Sequence, residues 1–201
     1  VIQDYSSQRI QEFLVTVKQE ITQNTALKIW DCCAASGGKS ILAFDTFNKI
    51  DLTVSDVRPS IINNLKKRFK EAGINKYQSF VANLTKKIIN IPDYYFQLII
   101  FDAPCSGSGT WGRTPEQLYF FSKKTIDDYA ALQKKIAGMV VPHLESGGHF
   151  LYITCSVFKK ENEAVAEFIK SNFGLVVIKQ ELLKGYNKKA DTMFAALFKK
   201  A

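Results

Sequence analysis

The chain of 201 residues lacks long hydrophobic runs, and no apolar stretch approaches the roughly 20 residues that a membrane-spanning helix requires. A signal peptide is also missing, because the residues up to Glu12 lack a basic start followed by an apolar stretch. These absences predict a cytoplasmic protein with reduced thiols and no membrane partner. Internal repeats, low-complexity segments and obvious linkers are absent too, so we expect one domain with its own core over residues 1–201.

Cysteine and histidine are scarce, which restricts the kinds of site that the chain could carry. The four cysteines form no CxxC pair, so the spacing of zinc ligands is absent and no metal site is predicted. His143 and His149 fall at a predicted helix end and strand start, which favours structural roles and argues against a hydrolase triad. Cys32 fits a small buried hydrophobic residue. Cys105 and Cys155 stand in two motifs of unusual composition.

Acidic residues are the minority among the charged ones. The chain has 27 Lys and Arg against 19 Asp and Glu, which gives a net charge of +8. Much of the excess stands in lysine pairs, each of which is typical of a solvated helix face or loop end when taken alone. Over the whole chain the excess favours a polyanionic partner, because a basic surface neutralises phosphates.

Hydrophobic periodicity predicts strands that alternate with helices. Predicted helices span residues 5–23, 39–48, 59–72, 125–144 and 161–172. Predicted strands span residues 28–33, 51–55, 79–82, 97–101, 150–154, 175–179 and 193–198. This alternation predicts an α/β fold with a mostly parallel sheet and helices on both faces. The last two strands have no helix between them and could form an antiparallel edge pair.

Four groups of unusual residues follow predicted strands, and ligands of such sheets bind outside the carboxyl ends of the strands. The first group is DCCAASGGKS, residues 31–40, whose small residues would let a ligand approach the backbone at a helix N-terminus. Asp56 ends the next strand, where an acid would hydrogen-bond ribose hydroxyls. The loop is neither GxGxxG nor GxxxxGKS, so a nucleoside cofactor of another kind is favoured. A tight turn for packing is the alternative.

The other two groups contain the isolated cysteines. DAPCSGSGTWGRTPE, residues 102–116, places Asp102 and Cys105 directly after a buried strand, and a structural turn needs neither of them there. YITCSVFKKENE, residues 152–163, places Cys155 at the end of another buried strand, where it could also merely complete the core. Two thiols on separate strand ends of one parallel sheet can share a pocket.

Two thiols and an acid in one pocket fit either a disulfide switch or alkylation of a pyrimidine at C5. In the second chemistry, a thiolate adds to C6 of cytosine, and C5 then accepts a methyl group from a sulfonium donor. A base removes the C5 proton and the thiolate leaves, which suits cysteine better than serine. An acid such as Asp102 would promote the addition by hydrogen-bonding the N3 and N4 edge of the ring if it carries or shares a proton. The residues alone do not show whether Cys105 or Cys155 is the nucleophile.

The three motifs together resemble the signature segments of the RNA 5-methylcytosine methyltransferase family, which includes bacterial rRNA enzymes and eukaryotic tRNA and rRNA enzymes. The resemblance covers nearly the whole chain, from QDYSSQ at residues 3–8 to DTMF at residues 191–194. It implies a Rossmann-like, seven-stranded, mostly parallel sheet and S-adenosyl-L-methionine as cofactor. It also implies that Cys155 is the nucleophile and that Cys105 assists release of the methylated RNA, with Asp102 as the third catalytic residue.

The resemblance further places the cofactor on the loop after the first strand and on residues at later strand ends. The matching positions are Cys33, Ala34, Ala35, Ser36, Gly37, Gly38, Lys39, Asp56, Asn83 and Asp102. Two of them depart from the family pattern, because Ser36 stands where Pro is usual and Asn83 stands where an Asp near the adenine is usual. Arg113 and Pro115 match a basic R-x-P segment, which would position the RNA.

The expected reaction is transfer of a methyl group from S-adenosylmethionine to C5 of a cytosine in RNA, with rRNA ahead of tRNA, by a monomer that uses no metal. Because the first residue is Val and the family usually carries an upstream RNA-binding domain, we expect the chain to be a fragment. Three alternatives fit less well. A methyltransferase for a protein or small molecule would need no thiol pair, a dehydrogenase would need GxGxxG, and a non-catalytic RNA-binding module would need neither cysteine.

Overall fold

The computed structural model describes residues 2–21, 25–86 and 95–201. Within these residues, seven strands form one sheet. The strands are β1 (Leu27–Asp31), β2 (Ile50–Asp56), β3 (Gln78–Val81), β4 (Phe96–Asp102), β5 (Leu144–Thr154), β6 (Leu175–Leu183) and β7 (Met193–Lys200). Their order across the sheet is β3-β2-β1-β4-β5-β7-β6. The α/β fold predicted from the sequence is confirmed, with the seven strands that the resemblance implies.

Strands β1 to β5 pair in parallel, whereas β7 runs antiparallel to both of its neighbours, β5 and β6. A short connection suffices between β6 and β7 because antiparallel strands need no crossover helix. The antiparallel pair expected from the missing helix is therefore present. Strand β5 begins earlier than the predicted residue 150, and its pairing with β4 shifts in register between the pairs Phe96–Leu144 and Leu98–His149.

Helices pack on both faces of the sheet. They are α1 (Tyr5–Gln8), α2 (Gln11–Glu20), α3 (Gly38–Thr46), α4 (Pro59–Glu71), α5 (Glu116–Phe120), α6 (Lys123–Val140) and α7 (Glu163–Phe173). Among the described residues, no helix combines the length and the apolar character needed to cross a membrane.

Two helix predictions were wrong in their extent. The single helix expected over residues 5–23 is two helices, because the chain turns between them at Arg9 and fully buries Ile10; residues 22–24 lie outside the described part. The helix expected to reach residue 144 ends at Val140, because Pro142 has no N–H group for a helical hydrogen bond and the chain forms a 3-10 turn over Val141–His143.

Each face of the sheet buries its own apolar cluster. Ile29 and Leu98 pack with α2, α3 and α4 on one face, whereas Trp30, Phe101 and Phe150 pack with α6 and α7 on the other. Successive strand residues point to opposite faces, so the continuous apolar runs of β1 and β4 supply both clusters. Because burying a large apolar side chain stabilises a fold by roughly 1.5–3 kcal/mol, these central strands form a rigid support for the loops that follow them.

The carboxyl ends of β1, β2, β4 and β5 lie at one edge of the sheet, because these strands are parallel neighbours. This edge carries the loop after Asp31, the side chain of Asp56, the segment after Asp102, and Cys155. The sequence motifs predicted to meet at this edge therefore do so.

Candidate active site

A cleft of about 600 Å³ opens at the carboxyl edge of the sheet. Seven of the residues predicted to bind the cofactor or to act in catalysis line it: Cys33, Ala35, Asp56, Asn83, Asp102, Cys105 and Cys155. Val57, Leu84 and Ile136 contribute apolar wall. The volume lies within the range of about 300–1,000 Å³ that is typical of small-molecule pockets.

The two thiols lie side by side in this cleft, with 3.2 Å between Cys105 Sγ and Cys155 Sγ. The hydrogen bond from Cys105 lowers the pKa of the Cys155 thiol, against the opposing effect of burial. The same contact, together with burial, raises the pKa of Cys105 well above its ordinary value. Either sulfur can donate to the other at this distance, so a thiolate on one of them is stabilised by the remaining thiol. Thiolates are the nucleophilic form of cysteine, and the assignment of Cys155 as the attacking thiol stays a prediction.

Close backbone contacts hold the loops of the two cysteines together. Gly109 donates its N–H to the carbonyl of Cys155 at 2.8 Å and accepts from the N–H of Thr192 at 2.9 Å. A Cβ at Gly109 would overlap the Thr192 carbonyl oxygen and come within 3.0 Å of the Cys155 oxygen. Only glycine fits there, because three chain segments meet at this point.

A buried carboxylate, Glu161, joins the same two loops through side-chain contacts. The residue is fully buried. Its Oε1 accepts from the N–H of Ser106 at 2.7 Å, and its Oε2 accepts from the hydroxyls of Ser106 and Ser156 at 2.6 Å each. Ser106 follows Cys105 and Ser156 follows Cys155, so one side chain fixes the residues next to both thiols.

Lys39 connects the cofactor loop to the thiol pair. Its Nζ lies 3.2 Å from Asp102 Oδ2 and donates to the hydroxyl of Ser7 at 2.8 Å. Although the side chain is almost completely buried, the acid and the hydroxyl compensate its charge. The positive charge also contributes to lowering the pKa of Cys155, whereas Asp102 opposes this effect.

Asp56 is held in place by the chain itself. Its carboxylate accepts from the backbone N–H of Ala35 at 3.0 Å and from that of Arg58 at 3.0 Å. The Arg58 guanidinium adds contacts of 3.0 and 3.2 Å. Burial acts to raise the pKa of Asp56, but the hydrogen bonds from Arg58 outweigh it and keep the pKa below the ordinary value. The group is therefore an ionised acceptor at the cleft wall.

Four residues of the predicted cofactor loop, and Lys39 beside them, lie outside the lining of the cleft. Ala34 is buried and donates to Ser55, while Ser36 accepts from Arg68. Gly37 has a φ of 82° and leaves no room for a Cβ beside Phe69, and the Gly38 carbonyl accepts from Gln3. These residues shape the loop, and their contact with a cofactor stays a prediction.

A family model described as 16S rRNA methyltransferase RsmB/F matches residues 18–198 of the chain. The chain belongs to this family. The match includes all three motifs and confirms the resemblance that the sequence motifs indicated.

Curated relatives and solved structures agree with the family. The ribosomal RNA small subunit methyltransferase B of Proteus mirabilis (strain HI4320) is 29% identical over 180 residues, which cover 85% of this chain and 39% of the relative. The protein of the same name from Enterobacter sp. (strain 638) is 32% identical over 148 residues, covering 71% of this chain and 33% of the relative. The chain thus spans less than half the length of the curated relatives that it matches.

The crystal structure of PH0851 superposes with a TM-score of 0.86 at 25% identity, over 100% of this chain and 47% of that one. The structure of NSun6 from Pyrococcus horikoshii with SFG has a TM-score of 0.79 at 20% identity, over 98% and 52% of the two chains. The second likeness concerns the fold alone. The fold is that of S-adenosylmethionine-dependent methyltransferases.

Two buried acids at this site were not predicted from the motifs. Glu161 stands at the start of the predicted helix over residues 161–172, and its sequence position gives no sign that it lies between two loops. Asp31 begins the DCCAASGGKS motif and is fully buried; it accepts from the hydroxyl of Ser40 at 2.6 Å. Burial is the main cause that raises the pKa of Asp31 to about 7.

The two departures from the family pattern have visible structural consequences. Ser36 Oγ and its carbonyl both bind the Arg68 guanidinium, so a side-chain contact fixes a loop position where Pro is usual. Asn83 Oδ1 accepts from the N–H and the hydroxyl of Thr85, at 3.0 and 2.7 Å. Its carbonyl oxygen is therefore occupied, and its NH2 group remains to donate at the cleft wall.

The remaining predicted roles divide into two groups. His143 packs edge-on against Trp30, with ring centroids 5.8 Å apart, and buried His149 contacts Glu20 at 3.1 Å, as expected for structural residues. Cys32 is fully buried, as predicted. Arg113 binds Asp191 through contacts of 2.8, 3.0 and 2.9 Å, although its side chain remains 63% exposed. Its predicted role in positioning RNA stays a prediction.

Proposed function

We propose that this domain transfers a methyl group from S-adenosylmethionine to C5 of a cytosine in RNA, through a covalent bond between Cys155 and C6 of the ring. The observation that carries the proposal is the pair of thiols 3.2 Å apart, in a cleft that Asp102 also lines. A methyltransferase that acts on an oxygen or nitrogen atom has no step that needs two adjacent thiols. We further propose that residues 1–201 form a single catalytic domain, since one continuous sheet contains every described strand.

The cleft fits S-adenosylmethionine. Asp56 offers an ionised carboxylate for the ribose hydroxyls, and Val57, Leu84 and Ile136 offer apolar wall for the adenine. The NH2 group of Asn83 would donate to a ring nitrogen, which is the opposite polarity from the acceptor that an Asp would offer. When bound, the cofactor supplies an electrophilic methyl group on a sulfonium sulfur. NSun6, which has the same fold, was solved with SFG, an analogue of this cofactor.

Cys155 starts the reaction by adding its thiolate to C6 of the cytosine. The hydrogen bond from Cys105 and the charge of Lys39 favour that thiolate. Asp102 forms an ion pair with Lys39 through its Oδ2. Its Oδ1 has no partner in the described part of the chain, so it can accept from the N4 amino group of the cytosine. This contact orients the ring, and the addition makes C5 nucleophilic. N3 takes a proton from solvent on addition, and this proton returns to solvent when the ring becomes aromatic again.

Cys105 completes the reaction by serving as the base for the C5 proton. The Cys155 thiolate is the first cause of the raised pKa of Cys105. Once the Cys155 sulfur is bound to carbon it carries no charge, so Cys105 can release its proton to solvent. The Cys105 thiolate then takes the proton from C5, the C6–S bond breaks, and Cys155 leaves as a thiolate. The starting hydrogen bond between the two sulfurs is restored.

An rRNA is the substrate that the comparisons support. The curated relatives are named ribosomal RNA small subunit methyltransferase B, and the family model is described for 16S rRNA. The net charge of +8 suits a partner rich in phosphates.

The experiment measures methyl transfer from labelled cofactor to a 16S rRNA transcript by the complete gene product. Cys155→Ala is expected to abolish transfer and keep cofactor binding, because the nucleophile is lost while the cofactor side of the cleft is intact. Cys105→Ala is expected to accumulate a covalent protein–RNA adduct, visible on a denaturing gel. Cys32→Ala is the control, since it removes a buried thiol outside the mechanism. Continued transfer by Cys155→Ala would falsify the nucleophile assignment, and normal turnover by Cys105→Ala would exclude its role in release.

A further inference from the structure

Helix α5 exposes two large aromatic side chains to solvent. Tyr119 is 86% and Phe120 is 79% exposed, and Leu118 before them is 58% exposed. The rings of Tyr119 and Phe120 lie perpendicular to each other, with centroids 5.1 Å apart. None of the five residues of the helix is buried. Single exposed apolar residues are common, but three in succession on one short helix indicate a surface that contacts a partner.

An aromatic cluster beneath the helix attaches it to both cysteine loops. Trp111 follows the Cys105 loop, Phe121 ends α5, and Phe158 belongs to the Cys155 loop. Phe121 stacks on Phe158 with centroids 5.5 Å apart, and Trp111 meets the two rings edge-on at 4.9 and 6.0 Å. Such ring pairs add roughly 0.5–1.5 kcal/mol each beyond area burial. The exposed rings therefore stand on a fixed base rather than on a loose loop.

Helix α5 also lies near the loop that carries Cys105. Gln117 Oε1 lies 3.6 Å from the position that a Cβ of Gly107 would take, two residues after Cys105. A nucleotide whose base reaches the thiols would have its flanking nucleotides close to this helix.

The charges around α5 favour a polyanion. Lys123 and Lys124 follow the helix and are exposed, and Lys159 is exposed beside Phe158. None of these three lysines has an acidic partner within 4 Å among the residues that the structure describes. Lys160 is different, because it binds Asp127 at 2.6 Å. Protein interfaces are depleted of lysine, whereas RNA sites combine aromatic rings for bases with cations for phosphates.

We propose that Tyr119 and Phe120 form a stacking platform for unpaired RNA bases that flank the target cytosine, with Lys123 and Lys124 contacting the adjacent phosphates. This inference rests on the proposed function, since it assumes that RNA enters the cleft. The platform explains why a helix with no buried residue is fixed so firmly to the catalytic loops. By stacking the neighbours of the cytosine, it would hold the unstacked target base at the thiols.

The test uses the complete gene product, a 16S rRNA transcript and the double variant Tyr119→Ala/Phe120→Ala. Base stacking on an aromatic side chain is worth about 1–3 kcal/mol, so the affinity for RNA and kcat/KM are expected to fall by at least about 10-fold. The affinity for S-adenosylmethionine should not change. The variant Tyr119→Phe keeps the ring and is expected to retain most of the affinity for RNA. If the Tyr119 hydroxyl made the contact instead, this variant would lose affinity.

Tyr95→Ala is the matched control. Tyr95 is 61% exposed, but it precedes β4 at the opposite edge of the sheet from the thiols. If the double variant binds and methylates RNA like the Tyr95 control, the platform is refuted. If it keeps its affinity for RNA but loses thermal stability, the surface contacts another part of the protein instead, which also refutes the proposal. If the unaltered protein methylates no RNA, the proposed function fails and not the platform alone.

Discussion

The thiol side and the cofactor side of the cleft lie on neighbouring strand ends but are held by different kinds of contact. On the thiol side, Glu161 and Gly109 bind the two cysteine loops through hydrogen bonds that no ligand needs to displace. On the cofactor side, Arg58 occupies oxygens of Asp56 that a ribose would use. The two sulfurs are therefore held in place without a ligand, whereas the proposed binding of a ribose to Asp56 requires an exchange of partners.

Removing the Glu161 carboxylate tests the preorganised side and has the largest expected effect. Glu161→Ala removes a buried acceptor from three donors on Ser106 and Ser156, which is expected to lower the free energy of unfolding by about 3 kcal/mol. The contact between the sulfurs should loosen, so the pKa of Cys155 should rise and its alkylation by iodoacetamide should shift to higher pH. Urea unfolding and the pH profile of alkylation measure the two effects.

Two further variants separate the acceptor role of Glu161 from its size. Glu161→Gln keeps the volume and one oxygen but replaces the other with a donor, so an intermediate loss is expected. Glu167→Ala removes an exposed acid of α7 and serves as the control. If Glu161→Ala matches the Glu167 control in stability and in alkylation, the two loops keep their places without the carboxylate.

The positions of the sequence motifs could be predicted because they follow buried strands, and the fold depends on the same strands. The apolar runs of β1, β4 and β5 show their burial in the sequence, and parallel pairing then brings their carboxyl ends together. Glu161 illustrates the opposite case. It stands within a run of polar residues typical of an exposed helix start, and only the approach of two separate loops makes it a buried acceptor.

Helix α5 was not predicted for a related reason. Its five residues are too few to show a helical period, and its side chains contribute nothing to the core. The ring contacts among Trp111, Phe121 and Phe158 hold the helix in place. These three residues are too far apart along the chain for a local sequence pattern to show that they meet. Elements that are held by a few long-range ring contacts are thus the part of this site that sequence periodicity misses.

The buried acid Asp31 introduces a pH dependence on the cofactor side. Folding raises its pKa from 3.8 to about 7. The folded protein keeps this proton up to about pH 7, whereas the unfolded chain releases it near pH 3.8. The protonated Asp31 therefore contributes its full stability below pH 3.8, and this contribution is lost as the pH rises through about 7. The expected loss between pH 5 and pH 8 is on the order of 2 kcal/mol.

Asp31→Asn should remove this pH dependence, since the amide does not titrate and its oxygen can still accept from Ser40. The variant is expected to gain stability relative to the unaltered protein as the pH rises from 5 to 8, measured by urea unfolding at each pH. Asp45→Asn, a change at an exposed position of α3, provides the baseline. If the difference in the free energy of unfolding between Asp31→Asn and the unaltered protein stays constant across this range, Asp31 is already ionised at pH 5 in the folded state.

The smallest expected effect concerns Arg58, which competes with the ribose for Asp56. Its side chain is 56% exposed, so its ion pair with Asp56 is worth no more than about 1 kcal/mol. Arg58→Ala frees two contacts of the carboxylate and is expected to tighten binding of S-adenosylmethionine by up to about fivefold. Calorimetric titration measures the affinity, and Lys66→Ala on α4 controls for the loss of one surface charge. Weaker binding by Arg58→Ala, but not by Lys66→Ala, would reverse the interpretation, because Arg58 would then hold the cofactor itself and the cofactor side would be as preorganised as the thiol side.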